Sequence, residues 1–188
     1  MLRCVVVDSQ CSSISSLTRH ADPDLVVSKV DYCFSALAGI TGHLMDKLQS
    51  VLNAAARLVF SARKSEHTTP LLHELHWLRV RERIQLRLCV LVHCCLHGSA
   101  PAYLAEILHR TTEVSACRCL RYADNLSLII PSTRRSTLGD RAFPVAASRV
   151  WNSLPNSMRN IESLQSFRQE LKTLLFSSSF YSIATDNR

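Results

Sequence analysis

Apolar residues recur at helical spacing along most of the chain, and this pattern predicts a mainly helical protein. The clearest case is residues 43–60, where leucine, valine and alanine positions share one stripe. Lys47, Asn53 and Arg57 lie mainly off that stripe, as expected for an amphipathic helix that turns one face toward a core.

Proline and glycine mark the ends of further predicted helices. Asp22 and Pro23 form a start signal and Gly39 a stop signal, while Gly98 closes the longest of these helices. The helices predicted in this way cover residues 23–39, 70–77, 79–97 and 101–110.

Clear periodicity is lost near residue 110. Residues 126–131 (LSLIIP) are a candidate strand, and a basic turn region follows at 132–140. The predicted fold class is therefore mainly α, an irregular helical bundle with one short β element near residues 126–137.

Two helices are predicted after this connection. Asp140 is a candidate cap for a helix over residues 141–154, which tolerates Pro144 only in its first turn. A last helix is predicted over residues 161–176, and the serine-rich tail 177–188 is expected to fray.

The composition suits one globular domain. The chain has 188 residues, 47% of them hydrophobic, and only four glycines, which argues against an all-β protein. No apolar run is long enough to span a bilayer, and the start of the chain does not read as a secretory signal. We therefore expect a cytoplasmic or nuclear protein that is not secreted and keeps its eight cysteines reduced.

The charge is distinctly basic, with 22 Lys and Arg against 15 Asp and Glu and a net charge of +7. Residues 1–24 are slightly acidic, so the excess lies in the remainder of the chain. A basic globular segment favours a polyanionic partner, nucleic acid before membrane, although charge for solubility alone is an equally good explanation.

Arginines along the predicted long helix are the main candidate for such binding. Arg79, Arg83 and Arg87 are four residues apart, and each step advances about 40° around the axis, so they form one stripe. This layout suits phosphate binding, but a solvated polar face has the same pattern. A separate apolar stripe consists of Val80, Ile84, Leu88, Leu91 and Cys95, and a second basic cluster of Arg134, Arg135, Arg141 and Arg149.

A zinc site is the alternative suggested by a group of histidines and cysteines: His93, Cys94, Cys95, His97, Cys117 and Cys119. Adjacent cysteines diverge on a helix, and Cys-x-Cys is not the Cys-x2-Cys spacing of structural zinc sites. We therefore favour no metal and no cofactor, and we predict that Cys95 is a buried thiol. Trp77 and Trp151 are predicted to be core aromatics rather than stacking platforms.

Residues 122–125 (YADN) are close to the Tyr-x-Asp-Asp turn whose carboxylates hold the metal ions of template-copying polymerases. Asn125 replaces the second carboxylate and so removes a charged metal ligand. The segment is either a degenerate active site or a chance match.

Five longer stretches resemble the C-terminal part of reverse transcriptases from non-LTR retrotransposons, the LINE-type elements of the Jockey-like group. In chain order they are VVSKVDYCFSALAGI, DKLQSVLNAAARLVFSARKSEHTTPLLHELHWLRVRERI, CLHGSAPAYLAEIL, GDRAFPVAASRVWNSLP and SLQSFRQELKTLLF. The resemblance covers roughly residues 25–176, about four fifths of the chain, and residues 1–24 match nothing in the family.

The resemblance implies a fragment of an RNA-directed DNA polymerase that is not itself an enzyme. The catalytic turn of this family belongs to the palm, upstream of every matching stretch, so YADN is interpreted as accidental. The implied segments are 1–24 unmatched, 25–110 a helical thumb-like region, 111–139 a linker with a short β element, 140–176 the C-terminal helices and 177–188 a frayed tail.

The post-palm region of such enzymes is expected to hold a primer–template duplex by its backbone. The implied partner is therefore RNA or an RNA–DNA hybrid, held by Arg79, Arg83 and Arg87 and by the second cluster at Arg134, Arg135 and Arg141. The alternative is a structural or interaction protein, or a pseudogene product without activity, that self-associates through apolar faces once covered by the palm. The chain also departs from the family pattern, since Arg79 stands where a proline is usual.

Overall fold

The computed structural model describes residues 39–113, 126–134 and 139–181. This part of the chain is mainly helical, as predicted, and contains no sheet. Its helices, numbered in chain order, are α1 (Gly42–Val59), α2 (Thr68–Glu74), α3 (Val80–Leu96), α4 (Ala102–Ala105), α5 (Phe143–Asn152), α6 (Asn156–Arg159) and α7 (Leu164–Tyr181). Apart from Gly39, the helix predicted over 23–39 lies outside the described residues, as do residues 1–24.

The chain divides into two compact units. Unit 1 consists of Met1–Ile84 and Leu175–Arg188, and unit 2 of Gln85–Leu174. Both unit boundaries fall within helices, α3 and α7, and not in the predicted linker at 111–139.

In unit 1, α1 is the amphipathic helix predicted from the sequence, and it packs against α2. Its buried positions are Leu48, Val51, Leu52, Ala55 and Ala56, whereas Leu58 and Val59 at its end are exposed. The Gln49 side chain on α1 accepts a hydrogen bond of 2.9 Å from the backbone N–H of Val80. That contact satisfies one of the amides left unpaired at the start of α3.

The helix before α3 is shorter than predicted, so the loop between α2 and α3 is longer. The helix expected over 70–77 ends at Glu74, because His76 adopts a left-handed conformation with φ 52°. The backbone N–H of Trp77 donates to the Leu72 carbonyl at 2.9 Å, which closes the end of α2 in the way a glycine usually does. The chain thereby turns directly into α3.

Unit 2 has a fully buried aromatic centre, formed by Trp151 and Phe167. Trp151 is thus the core residue predicted from the sequence, whereas Trp77 in unit 1 is only half-buried. The apolar stripe of α3 is also confirmed, since Leu88 and Cys95 are buried.

The predicted strand at 126–131 is reduced to a single antiparallel bridge between Arg110 and Leu128. Asn152 takes the place of a neighbouring strand: its amide donates to the Leu128 carbonyl at 2.8 Å and accepts from the Leu128 N–H at 2.9 Å. The indole N–H of Trp151 donates to the Leu126 carbonyl at 2.7 Å. Two adjacent side chains of α5 therefore satisfy backbone groups that a sheet would otherwise pair.

Three of the later elements differ from the sequence prediction. Pro144 lies in the first turn of α5, as required, but the cap residue is Ala142 and not Asp140. The helix predicted over 101–110 is limited to α4. The last helix continues to Tyr181, so the expectation of a frayed tail is wrong for residues 177–181.

Candidate nucleic-acid interface

A group of rings lies where α2 meets the end of α7 in unit 1. The His73 ring centroid is 5.1 Å from that of Phe176 and 5.4 Å from that of Phe180. His76 lies 5.5 Å from Phe176, and the two phenylalanine centroids are 4.6 Å apart. These four residues are called the surface ring cluster below.

The surface ring cluster is open to solvent. Both imidazoles are exposed, and the two phenylalanines are half-buried. The rings meet at interplanar angles between 42° and 86°, so none is covered face to face by another member of the cluster. Accessible aromatic faces of this kind are able to stack on planar groups of a ligand.

Short-range geometry explains how these rings come together. Phe176 and Phe180 are four residues apart on α7 and therefore share one face of the helix. His73 lies in the last turn of α2, and the left-handed conformation of His76 reverses the chain so that its ring returns to Phe176.

Arg79 adds a positive charge beside the surface ring cluster. Its guanidinium carbon lies 5.6 Å from the centroid of Phe180, within the range of a cation–π contact. The side chain is half-buried, and no carboxylate in the described part of the chain forms an ion pair with it. This arginine was one of the residues predicted to bind phosphate.

Arg83, four residues further on, has a different environment. It is only 9% exposed, its Nε donates to the Leu78 carbonyl at 2.9 Å, and its guanidinium carbon lies 5.8 Å from the Trp77 ring centroid. The expectation of an exposed guanidinium group is therefore wrong for this residue. Its contacts stabilise the loop that leads into α3.

The other predicted binding residues are distributed over unit 2. Arg87 and Arg134 are exposed and Arg141 is half-buried, while Arg135 lies beyond the described residues. Arg149 forms an ion pair with Asp140, since its Nη2 lies 3.1 Å from Asp140 Oδ1. Hydrogen bonds from Arg149 and Thr133 lower the pKa of Asp140, with the charge of Arg149 acting in the same direction.

His93, considered for a zinc site, is part of the core of unit 2. Its ring stacks on Phe167, with centroids 4.5 Å apart, and on His97, at 4.1 Å, and Phe167 also contacts Trp151 at 5.7 Å. Its Nε2 lies 2.8 Å from the Ile161 carbonyl and must donate, because a carbonyl only accepts. Burial lowers the pKa of His93, which favours the neutral ring. His93, Trp151 and Phe167 are called the buried ring cluster below.

Two of the three cysteines of α3 are core residues. Cys95 is buried, as predicted, and burial raises its pKa; burial also raises the pKa of the Cys89 thiol to about 12. Thiols in this state are poor nucleophiles and poor metal ligands. Within the described residues no three His, Cys, Asp or Glu side chains gather into a metal site, and Cys117, Cys119 and the YADN segment lie outside those residues.

Arg159 is a buried cation that the sequence did not single out. It is 8% exposed, its Nη1 donates to Ser127 Oγ at 2.8 Å and its Nη2 donates to Asn156 Oδ1. Among the residues that the structure describes, no carboxylate forms an ion pair with it, and burial lowers its pKa. With Trp151 and Asn152, it fixes the segment around Leu128 on unit 2.

The surface ring cluster also escaped sequence reasoning. The i, i+4 spacing of Phe176 and Phe180 was available as a signal, but the serine run that separates them suggested a frayed end. His73 and His76 gave no pattern by themselves, because their proximity to α7 is a tertiary contact.

Comparison of the chain with family models, with curated proteins and with solved structures finds no match. Among the described residues, no helix combines the length and the apolar character needed to cross a membrane.

Proposed function

We propose that this chain is a nucleic-acid-binding fragment of a reverse transcriptase of the non-LTR retrotransposon type. It binds RNA or an RNA–DNA hybrid through the phosphate backbone. The observation that carries the proposal is a set of cations without carboxylate partners. In the described part of the chain, ion pairs are absent at Arg63, Lys64, Arg79, Arg81, Arg134, Arg168 and Lys172. All but the half-buried Arg79 are exposed.

Surface cations without carboxylate partners are able to bind the phosphates of a polyanion. Each phosphate neutralised by a lysine or arginine releases condensed counterions, so affinity falls with salt in proportion to the number of contacts. Backbone contacts of this kind position a strand without reading its sequence. The resemblance to the post-palm region supports the same partner, because that region is expected to hold the primer–template backbone.

The proposed fragment binds but does not polymerise. In the family that the chain resembles, the metal-binding carboxylates belong to the palm, upstream of the matching stretches. The proposal therefore assigns no catalytic residue and no cofactor, and it places the chain with its ligand in the cytoplasm or the nucleus.

Salt-titrated binding of a blunt RNA–DNA hybrid, followed by fluorescence anisotropy, tests the proposal. We expect the affinity to fall steeply with salt, and Arg79→Gln to lower the logarithmic salt slope by about one. The combination of Arg63→Gln, Lys64→Gln and Arg81→Gln is expected to lower it further.

Arg149→Gln is the matched control, because that arginine is exposed but already paired with Asp140. It removes the same formal charge from the chain and is expected to change the slope less than Arg79→Gln does. Binding that is absent, or that does not depend on salt, would contradict the proposal.

A second candidate, an interaction protein that self-associates, is favoured by exposed apolar residues. Tyr103 is 66% exposed and Leu58 49%, and Val59, Ile107 and Ile130 are also exposed. Sedimentation velocity over a hundredfold range of protein concentration, about 1–100 μM, distinguishes the two candidates. A monomer throughout that range contradicts this second candidate.

A further inference from the structure

We infer that the surface ring cluster stacks unpaired bases, so that the ligand class at this site is single-stranded nucleic acid. The inference rests on the proposed function, because it assumes that the chain binds nucleic acid. It adds a second mode of contact, aromatic stacking, to the phosphate contacts already proposed.

The geometry supplies both parts of a single-strand site. Such sites combine cations that follow the backbone with aromatic faces on which bases stack. Arg79 lies against Phe180 at 5.6 Å, and Phe180 lies against Phe176 and His73 at 4.6 Å and 5.4 Å. The charge and the rings therefore form one continuous surface within unit 1.

The rings are accessible although they are large. His73 and His76 are exposed, and Phe176 and Phe180 are half-buried, so a planar group is able to approach the cluster from solvent. In the buried ring cluster of unit 2, by contrast, Trp151 and Phe167 have no exposed surface. Of the two ring clusters, the surface ring cluster is the one whose π faces are accessible to a ligand.

Unpaired bases fit this surface better than a duplex does. In a duplex the base faces are covered by stacking, and protein contacts are limited to groove edges, sugars and phosphates. In a single strand each base has a free π face, and stacking on Phe or His tolerates any sequence. The cluster should therefore bind single-stranded RNA or DNA with little sequence preference.

A second copy of the chain is a less suitable occupant. A two-fold interface sets the same patch against itself, which would bring two Arg79 guanidinium groups into one interface. Glu74, the exposed residue that follows His73, is the one carboxylate of α2 available to offset that charge. A polyanion, by contrast, is complementary to the Arg79 guanidinium.

The test compares two strands of equal length and equal phosphate number, oligo-dT and an abasic oligonucleotide, by fluorescence anisotropy at one salt concentration. We expect the wild-type protein to bind oligo-dT about fivefold or more tightly, since each stacked base contributes measurably to affinity. The double variant His73→Gln, His76→Gln and the single variant Phe180→Leu should each reduce that preference, with the salt slope unchanged.

The variants are chosen so that folding does not confuse the result. His73 and His76 are exposed, so glutamine should leave the melting temperature nearly unchanged. Phe180→Leu retains apolar volume while it removes the π face. Phe176→Leu is the matched repeat on the neighbouring ring.

The outcomes separate the two proposals. Salt-dependent binding with equal affinity for oligo-dT and the abasic strand overturns the stacking inference and leaves the proposed function intact. An absence of binding to both strands and to the blunt hybrid overturns both. Concentration-dependent dimerisation that Phe180→Leu abolishes shows that the cluster is an interface between copies, and also overturns the inference.

Discussion

Two ring clusters of similar composition have opposite environments in this molecule. In the buried ring cluster, His93 is stacked on Phe167 and donates to a backbone carbonyl. In the surface ring cluster, His73 contacts Phe176 and Phe180 but remains exposed. Ring type alone therefore does not distinguish a structural histidine from one that is available to a ligand, whereas burial and satisfied hydrogen bonds do.

The largest expected effect is a difference in the free energy of unfolding between variants of the buried ring cluster and variants of the surface ring cluster. Phe167→Ala empties a fully buried site and should lower the free energy of unfolding by about 3–5 kcal/mol, because the lost burial and the residual cavity both contribute. Phe180→Ala, at a half-buried site, should lower it by less. Urea denaturation followed by far-UV circular dichroism measures both, and equal losses would contradict the comparison.

Arg79 and Arg83 both lie beside aromatic rings, and we expect their substitutions to differ in the same way, one affecting binding and the other stability. Arg83→Gln removes a buried guanidinium and its bond to the Leu78 carbonyl, and should lower the free energy of unfolding by about 1–3 kcal/mol. Arg79→Gln should affect binding more than stability, because Arg79 is half-buried and is close to Phe180. If Arg83→Gln lost hybrid binding at temperatures where it remains folded, Arg83 would be a binding residue together with Arg79 and Arg87, as the sequence predicted.

The protonation of His93 should contribute to the pH dependence of the free energy of unfolding. The pKa of His93 is lowered in the folded state, so its neutral form stabilises the protein fully above the ordinary value of about 6.5. As the pH falls below that value, the unfolded chain takes up a proton before the folded chain does, and the free energy of unfolding decreases.

A variant isolates this contribution from those of the other histidines. His93→Gln keeps a donor for the Ile161 carbonyl but does not titrate, so its urea midpoint should depend less on pH between about 7.5 and 5.5 than that of the wild type. His73→Gln is the matched control in the surface ring cluster. An unchanged pH dependence in His93→Gln would show that its protonation is not coupled to folding.

The smallest expected effect concerns the exposed pair of Arg149 and Asp140. Arg149→Gln should leave the melting temperature almost unchanged, because exposed ion pairs are screened and contribute little. The pKa of Asp140 should rise in the variant, since the Arg149 hydrogen bond is the main cause of its lowering. NMR titration of the Asp140 carboxyl measures that rise, and an unchanged pKa would contradict the assignment of its cause.

Local sequence signals determined most of the helices. The apolar stripe of α1 predicted its buried face, Gly98 ends α3 in a left-handed conformation with φ 71°, and Pro144 lies in the first turn of α5. These features depend on residue spacing and on backbone preferences that act over a few positions, so they are readable from the chain alone.

The environments of Arg83 and of the surface ring cluster were decided only by tertiary structure. Spacing placed Arg83 and Arg87 on one stripe, yet Arg83 is buried against Trp77 while Arg87 is exposed. Asn152 replaces a strand beside Leu128, and α7 continues to Tyr181 and brings Phe180 to His73. Burial depends on contacts between residues far apart in sequence, and helical periodicity carries no information about which distant residue will cover a given face.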